Sequence, residues 1–129
     1  EPLLQRERIR DIVIKTKEKK HCVETNGDGL SLGDFKIFDY IVVSPKGKGS
    51  LDIALSWKEE YGDKLEIKLV VDKWNKKFLK YADSIMVKTS GDKKRDMEEY
   101  KKVWDWCVKN NKFFSSRLQY LVFNNERKR

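Results

Sequence analysis

Apolar residues in this chain fall into two kinds of run, and the kinds alternate. From about Leu4 to Lys17, Leu4, Ile9, Ile12 and Val13 recur at helical spacing among Gln, Arg, Glu and Lys, which predicts a helix with one buried face. His21 to Glu24 reads as a short strand, stopped by the turn formers Thr25-Asn26-Gly27-Asp28-Gly29. Leu30 to Lys36 reads as a connection. Tyr40-Ile41-Val42-Val43 is then a near-continuous apolar run, the pattern of a parallel strand covered on both faces. Ser44-Pro45 ends it, because proline has no N–H for the ladder and drives its predecessor extended. Leu51 to Tyr61 predicts a short helix, although Ile53, Leu55 and Trp57 alternate. Leu65 to Val71 is a third strand, ending at Asp72. Lys73 to Ala82, with Trp74, Phe78 and Tyr81 on one side, predicts a helix capped by Asp72. Ser84 to Lys88 is a fourth strand. Asp92 opens the longest helix, to about Asn110, with Met97, Tyr100, Val103, Trp104, Cys107 and Val108 as its apolar stripe. Phe113-Phe114 and then Leu118 to Phe123 supply a final strand.

Strands alternating with helices imply an α/β fold with a parallel sheet. Length suits one domain spanning residues 1–129. The chain opens on a helix with no strand before it, so it is expected to be the C-terminal part of a larger α/β structure. Three of the strand ends run into polar loops, and α/β folds bind ligands at the carboxyl ends of their strands. Lys46-Gly47-Lys48-Gly49 lacks the spacing of a phosphate loop and is set aside.

Charge adds one alternative. The 29 Lys+Arg exceed the 21 Asp+Glu by eight, and the aromatic residues Trp57, Trp74, Phe113 and Phe114 could in principle stack on bases. Acidic residues are interleaved with the lysines, as in Asp92-Lys93-Lys94-Arg95-Asp96, which is the composition of a solvated, ion-paired surface. A non-catalytic basic module that binds RNA is therefore the second reading. Cys22 and Cys107 lie far apart without C-x-x-C spacing, and Cys107 falls inside the long helix's stripe as a small buried hydrophobe. No secretory leader and no apolar run near the ~20 residues of a membrane span is present, so a reduced, cytoplasmic location is expected.

Four stretches then occur in an order that resembles one family. Glu1-Pro2-Leu3-Leu4-Gln5 is similar to the tail of a Gly-Gly-Glu-Pro motif, Val23-Glu24-Thr25-Asn26-Gly27 to a Glu-Thr-Asn-Gly strand end, and Val43-Ser44-Pro45-Lys46 to a Ser-Pro-Lys turn. With Phe114-Ser115-Ser116-Arg117-Leu118-Gln119, they resemble 7-carboxy-7-deazaguanine synthase, a radical S-adenosylmethionine enzyme, over essentially the whole chain. The resemblance implies the C-terminal part of a partial (β/α) barrel with parallel strands and flanking helices. It implies a carbon–nitrogen lyase that converts 6-carboxytetrahydropterin to the deazapurine of tRNA modification, with loss of ammonia. S-adenosylmethionine would be bound by Glu1, Glu24, Thr25, Asn26, Ser44, Pro45 and Lys46, and the pterin substrate by Arg117 and Gln119. In the family, the iron–sulfur cluster and magnesium take their ligands before Glu1, so no catalytic or metal-ligating residue is assigned here. The isolated chain is expected to be inactive. Gln119 stands where a substrate-contacting histidine is expected, Ser116 where a proline is common, and Met86-Val87-Lys88 where a Gln-Pro pair is usual. An inactive scaffold of the same fold is thus a third reading. The implied partner is the small pterin, without direct nucleic-acid or membrane binding, and a homodimer is compatible with these features.

Overall fold

The computed structural model describes residues 1–72 and 78–117. Among them are five strands, β1 (Cys22–Thr25), β2 (Tyr40–Val43), β3 (Leu65–Val71), β4 (Ser84–Val87) and β5 (Phe113–Ser115), each parallel to the next. Four helices accompany them: α1 (Arg6–Lys15), α2 (Leu32–Ile37), α3 (Lys48–Tyr61) and α4 (Lys93–Lys109). The α/β class and the parallel pairing follow the sequence pattern. The chain divides into two compact units, Glu1–Ile67 and Lys68–Arg129, and the division falls inside β3. Leu65 to Ile67 pair with β2, and Lys68 to Val71 pair with β4.

In the first unit the register puts Val23 beside Ile41 and Ile41 beside Leu65, then Thr25 beside Val43 and Val43 beside Ile67. All of these side chains are buried. Side chains alternate along a strand, so one face of the ladder is a continuous apolar strip. Burying each such aliphatic side chain contributes about 1.5–3 kcal/mol, which makes this strip the unit's principal stabiliser. Leu3, Phe35, Phe38, Leu51 and Ala54 complete the core. The opposite face is only half covered. Tyr40 and Val42 are half-buried, contrary to the two-sided burial expected of β2, and the Tyr40 hydroxyl donates to Glu66 at 2.7 Å.

Two helices depart from the expected pattern. The segment expected to be a connection forms α2, because the Asp34 carboxylate reaches back to accept the Ser31 N–H and hydroxyl while the Asp34 N–H donates to the Ser31 carbonyl. The ring of Phe35 on α2 stacks on Tyr61 at 3.8 Å and meets Trp57 at 5.1 Å, which joins α2 to α3. α3 starts earlier than expected, at Lys48, with the Ser50 hydroxyl accepting the N–H groups of Lys46 and Gly47. α1 forms as expected but buries none of its residues: Ile12 is exposed, as is Leu4 in the 3-10 turn before it. Leu3 takes the inward place instead, and polar bonds at the two ends of α1 hold it. Arg6 binds Asp34, and Thr16 meets His21 Nε2 at 2.8 Å.

In the second unit, Leu69, Leu79, Ala82, Ile85, Val87, Tyr100, Val103 and Cys107 form the core. The buried stripe of α4 is Asp96, Tyr100, Val103 and Cys107, whereas Met97, Trp104 and Val108 are exposed, a correction to the predicted face. The rotation has a polar cause. Asp96 turns inward to bind the loop before the helix, and this sets which residues follow it inside. Cys107 is buried as expected, and burial pushes its thiol pKa up. Most of the helix predicted from Lys73 lies outside the described residues, and Leu79–Tyr81 is a 3-10 turn. The strand predicted over Leu118 to Phe123 also lies outside them.

Candidate functional site

The rim at the carboxyl ends of β1 and β2 gathers most of the residues singled out in the sequence. Thr25 pairs with Val43, and the ladder continues one step further, with the Ser44 N–H donating to the Thr25 carbonyl at 2.7 Å. Glu24–Asn26 and Ser44–Lys46 therefore leave the sheet side by side, at the same edge.

Glu1 is tied to that edge. Its Oε1 accepts the Thr25 hydroxyl at 2.6 Å and the Leu3 N–H at 3.2 Å, and its Oε2 accepts the Asn26 N–H at 2.9 Å. Partial burial acts to raise the Glu1 pKa. The bonds from Asn26, Thr25 and Leu3 outweigh it and hold the carboxyl below its ordinary value. A carboxylate has about four lone-pair positions, so three donors leave one acceptor position of Glu1 open.

The loop after Thr25 is shaped by its own side chains. Thr25 Oγ1 also accepts the Gly27 N–H at 3.1 Å, and Asn26 Oδ1 accepts the Asp28 N–H at 2.8 Å. Gly27 has φ +90, and a β-carbon there would stand 2.8 Å from Val43 Cγ1. Only glycine lets β1 turn this close against β2.

Arg6 and Asp34, which sequence reasoning did not assign, lock this loop from below. Arg6 Nε and one terminal nitrogen donate to the two Asp34 oxygens at 2.9 and 3.0 Å, and the same nitrogen donates to the Gly29 carbonyl at 2.6 Å. Asp34 is fully buried and also accepts the Ser31 N–H and hydroxyl. Burial acts to raise its pKa, but the Arg6 guanidinium and the Ser31 donors prevail and hold it low. The signal for this knot was present in the sequence as Ser31-x-x-Asp34, a capping-box spacing.

The remaining assigned residues are distributed differently. Ser44 is buried and its hydroxyl donates to Glu24 at 3.4 Å. By strand alternation this pair lies on the face opposite Thr25 and Glu1. The rim thus brings both groups to one edge but presents them on its two sides. Pro45 is half-buried, and the Lys46 side chain is exposed with no hydrogen bond or ion pair to the described residues. Arg117 ends the described part of the second unit, and Gln119 lies outside the described residues. Among the aromatics that suggested base stacking, Trp57 and Phe114 are engaged in ring contacts, Phe113 is exposed, and Trp74 lies outside the described residues.

In kind, though on two sides of the rim, its polar groups match the amino-acid end of an adenosylated methionine: one acceptor on Glu1 for an ammonium, and the exposed Lys46 ammonium for a carboxylate. They do not fit an iron–sulfur cluster, whose thiolates converge on one small volume. Cys22 opens β1, at the end away from the rim, and Cys107 is buried within α4. Among the described residues no group of three or more His, Cys, Asp or Glu side chains could hold a metal ion, and no helix is long and apolar enough to cross a membrane. No protein-family model matches this sequence, and neither a curated protein nor a solved structure matches it.

Proposed function

We propose that this chain is the cofactor-cleft part of a radical S-adenosylmethionine enzyme resembling 7-carboxy-7-deazaguanine synthase, built as a portion of a partial (β/α) barrel. One observation supports the reading above others. Three stretches singled out in the sequence, Glu1, Thr25–Asn26 and Ser44–Lys46, reach the same strand-end rim, with Glu1 hydrogen-bonded to both Thr25 and Asn26 and Ser44 on the rim's other side. In this reading Glu1 accepts the ligand's ammonium, Lys46 pairs with its carboxylate, and the Gly27 turn keeps the Asn26 N–H aimed at Glu1. S-adenosylmethionine, when bound, supplies the radical for a ring contraction of 6-carboxytetrahydropterin that releases ammonia. The cluster ligands that such chemistry requires would lie outside these residues.

The test is a calorimetric titration of the chain with S-adenosylmethionine. Lys46→Ala removes a hydrogen bond between charged groups, worth about 1.5–3 kcal/mol, so affinity should fall at least tenfold. Glu1→Gln keeps the acceptor and loses the charge, and should weaken binding by a smaller factor. Unchanged affinity in the Lys46 variant, or no binding at millimolar ligand, overturns the assignment.

A further inference from the structure

The second unit carries a strand-end cleft of its own that the function above does not use. Asp72 follows β3, Lys88, Thr89 and Ser90 follow β4, and Arg95 lies in the first turn of α4. Together they line a space of about 210 Å³. Its walls are held in place by named bonds. The Lys88 N–H donates to the Val71 carbonyl at 2.7 Å, which extends the β3–β4 ladder and sets Lys88 beside Asp72. The Ser90 hydroxyl donates to Asp96 at 2.7 Å, and the Ser90 N–H donates to both Asp96 oxygens at 2.9 and 3.1 Å. Asp96 is buried, so this loop is pinned from inside.

The groups left over decide the chemistry. Several N–H groups at the start of α4 are already satisfied: Asp92 accepts from Lys94 and Arg95, and Asp96 also accepts from Gly91. The side chains of Lys88, Thr89, Arg95 and Asp72 have no hydrogen-bond or ion-pair partner among the described residues. The cleft therefore offers two cations and a hydroxyl donor on some walls, and one carboxylate acceptor on another. A dianionic phosphate would meet Asp72 as a like charge, which costs affinity. A carboxylate that carries its own hydrogen-bond donor satisfies both sets of walls at once.

We propose that this cleft binds a compact carboxylate with an adjacent hydroxyl or ammonium, of the 2-hydroxy or 2-amino acid class. Lys88 and Arg95 take the carboxylate, and Asp72 accepts from the neighbouring donor. At about 30 Å³ per water, the space corresponds to roughly seven water molecules, room for a small acid of this kind. The proposal concerns only residues of the second unit and rests on none of the groups assigned to S-adenosylmethionine, so either can fail alone.

The experiment is amide-resolved NMR titration of the chain with glycolate, glycine, acetate and inorganic phosphate at matched ionic strength. Glycolate and glycine should shift the Lys88, Thr89 and Ser90 amides and bind at least threefold tighter than acetate or phosphate. Lys88→Ala and Arg95→Ala should each weaken glycolate binding at least fivefold, while Lys101→Ala, outside the cleft, leaves it unchanged. Asp72→Asn should abolish the preference of glycine over acetate and tighten phosphate. Tighter binding of phosphate than of glycolate to the unmodified chain overturns the proposal. So does an equal loss in the Lys101 control, or the absence of shifts at these three amides.

Discussion

Alanine at position 27 tests the turn on which the β1–β2 rim depends. Two penalties act there. The backbone sits at φ +90, where a residue with a β-carbon is strained by about 1–2 kcal/mol. The added methyl also meets Val43 Cγ1 at 2.8 Å, and Val43 is fully buried between its neighbours, so it has little room to move. Overpacking of this kind adds about 1–3 kcal/mol, for a total of about 2–5 kcal/mol. Gly29 supplies the control. It has φ +79 but nothing within 4 Å of the added atom, so Gly29→Ala should cost only about 1–2 kcal/mol, the strain alone. Urea unfolding of both variants, at unchanged m, gives the two losses directly. A double-mutant cycle of Gly27→Ala with Val43→Ala isolates the contact, since trimming Val43 removes the clashing methyl. The cycle should return a favourable coupling of about 1–3 kcal/mol. Equal losses at positions 27 and 29 together with zero coupling would refute the close approach of β1 to β2. The rim geometry would fall with it, because the Gly27 turn is what aims the Asn26 N–H at Glu1.

Two further outcomes follow from the Arg6–Asp34 knot. Asp34→Ala removes an acceptor that serves Arg6 and Ser31, with charged hydrogen bonds worth about 1.5–3 kcal/mol each; because the Arg6 side chain is 37% exposed and regains water, the net loss should be about 2–4 kcal/mol by urea unfolding. The pH dependence has a definite sign: the folded-state pKa values of Asp34 and Glu1 are lowered, so their stabilisation is complete above the ordinary carboxylate range, near pH 4, and is lost as pH falls through the lowered values. The stability difference between the unmodified chain and Asp34→Asn should therefore stay constant from pH 7 to about 5 and shrink only in more acid solution; shrinkage already at pH 6 would mean a raised pKa and contradict the knot.

The strands were legible in the sequence because hydropathy alone specifies them. Val23, Ile41, Val43, Leu65 and Ile67 are apolar, and all are buried. The helices were less legible wherever an acidic residue turns inward. Asp34 and Asp96 look like solvent residues by composition, yet each binds the N–H and hydroxyl of a serine in the loop before its helix, Ser31 and Ser90 respectively. Ser31 and Asp34 created a helix where a connection was expected. Asp96 rotated α4 so that Met97 and Trp104 point outward. α1 failed in the opposite sense, since its apolar spacing was real but its anchoring is polar. At the rim, the motif residues could be found in sequence. Their division between two faces could not, because it depends on the β1–β2 register and on Ser44 turning toward Glu24.

The two strand-end clusters share a physical logic that separates scaffold from chemistry. In each, hydroxyl residues at or just beyond the strand end are consumed by the fold. Thr25 and Ser44 are buried and bonded to Glu1 and Glu24, and Ser90 is bonded to Asp96. Charge without a partner among the described residues stands beside them, at Lys46 three residues after β2 and at Lys88 directly after β4. Backbone bonds fix where such a residue starts, through Ser50 for Lys46 and through Val71 for Lys88, while its side chain has no partner among the described residues. A long cation on an anchored backbone loses little further freedom when it meets an anion, because the main chain is already ordered by bonds that exist without ligand. In both proposed sites the anion-binding groups are therefore lysines that packing does not use, and the ladder beneath them can hold constant while those positions change.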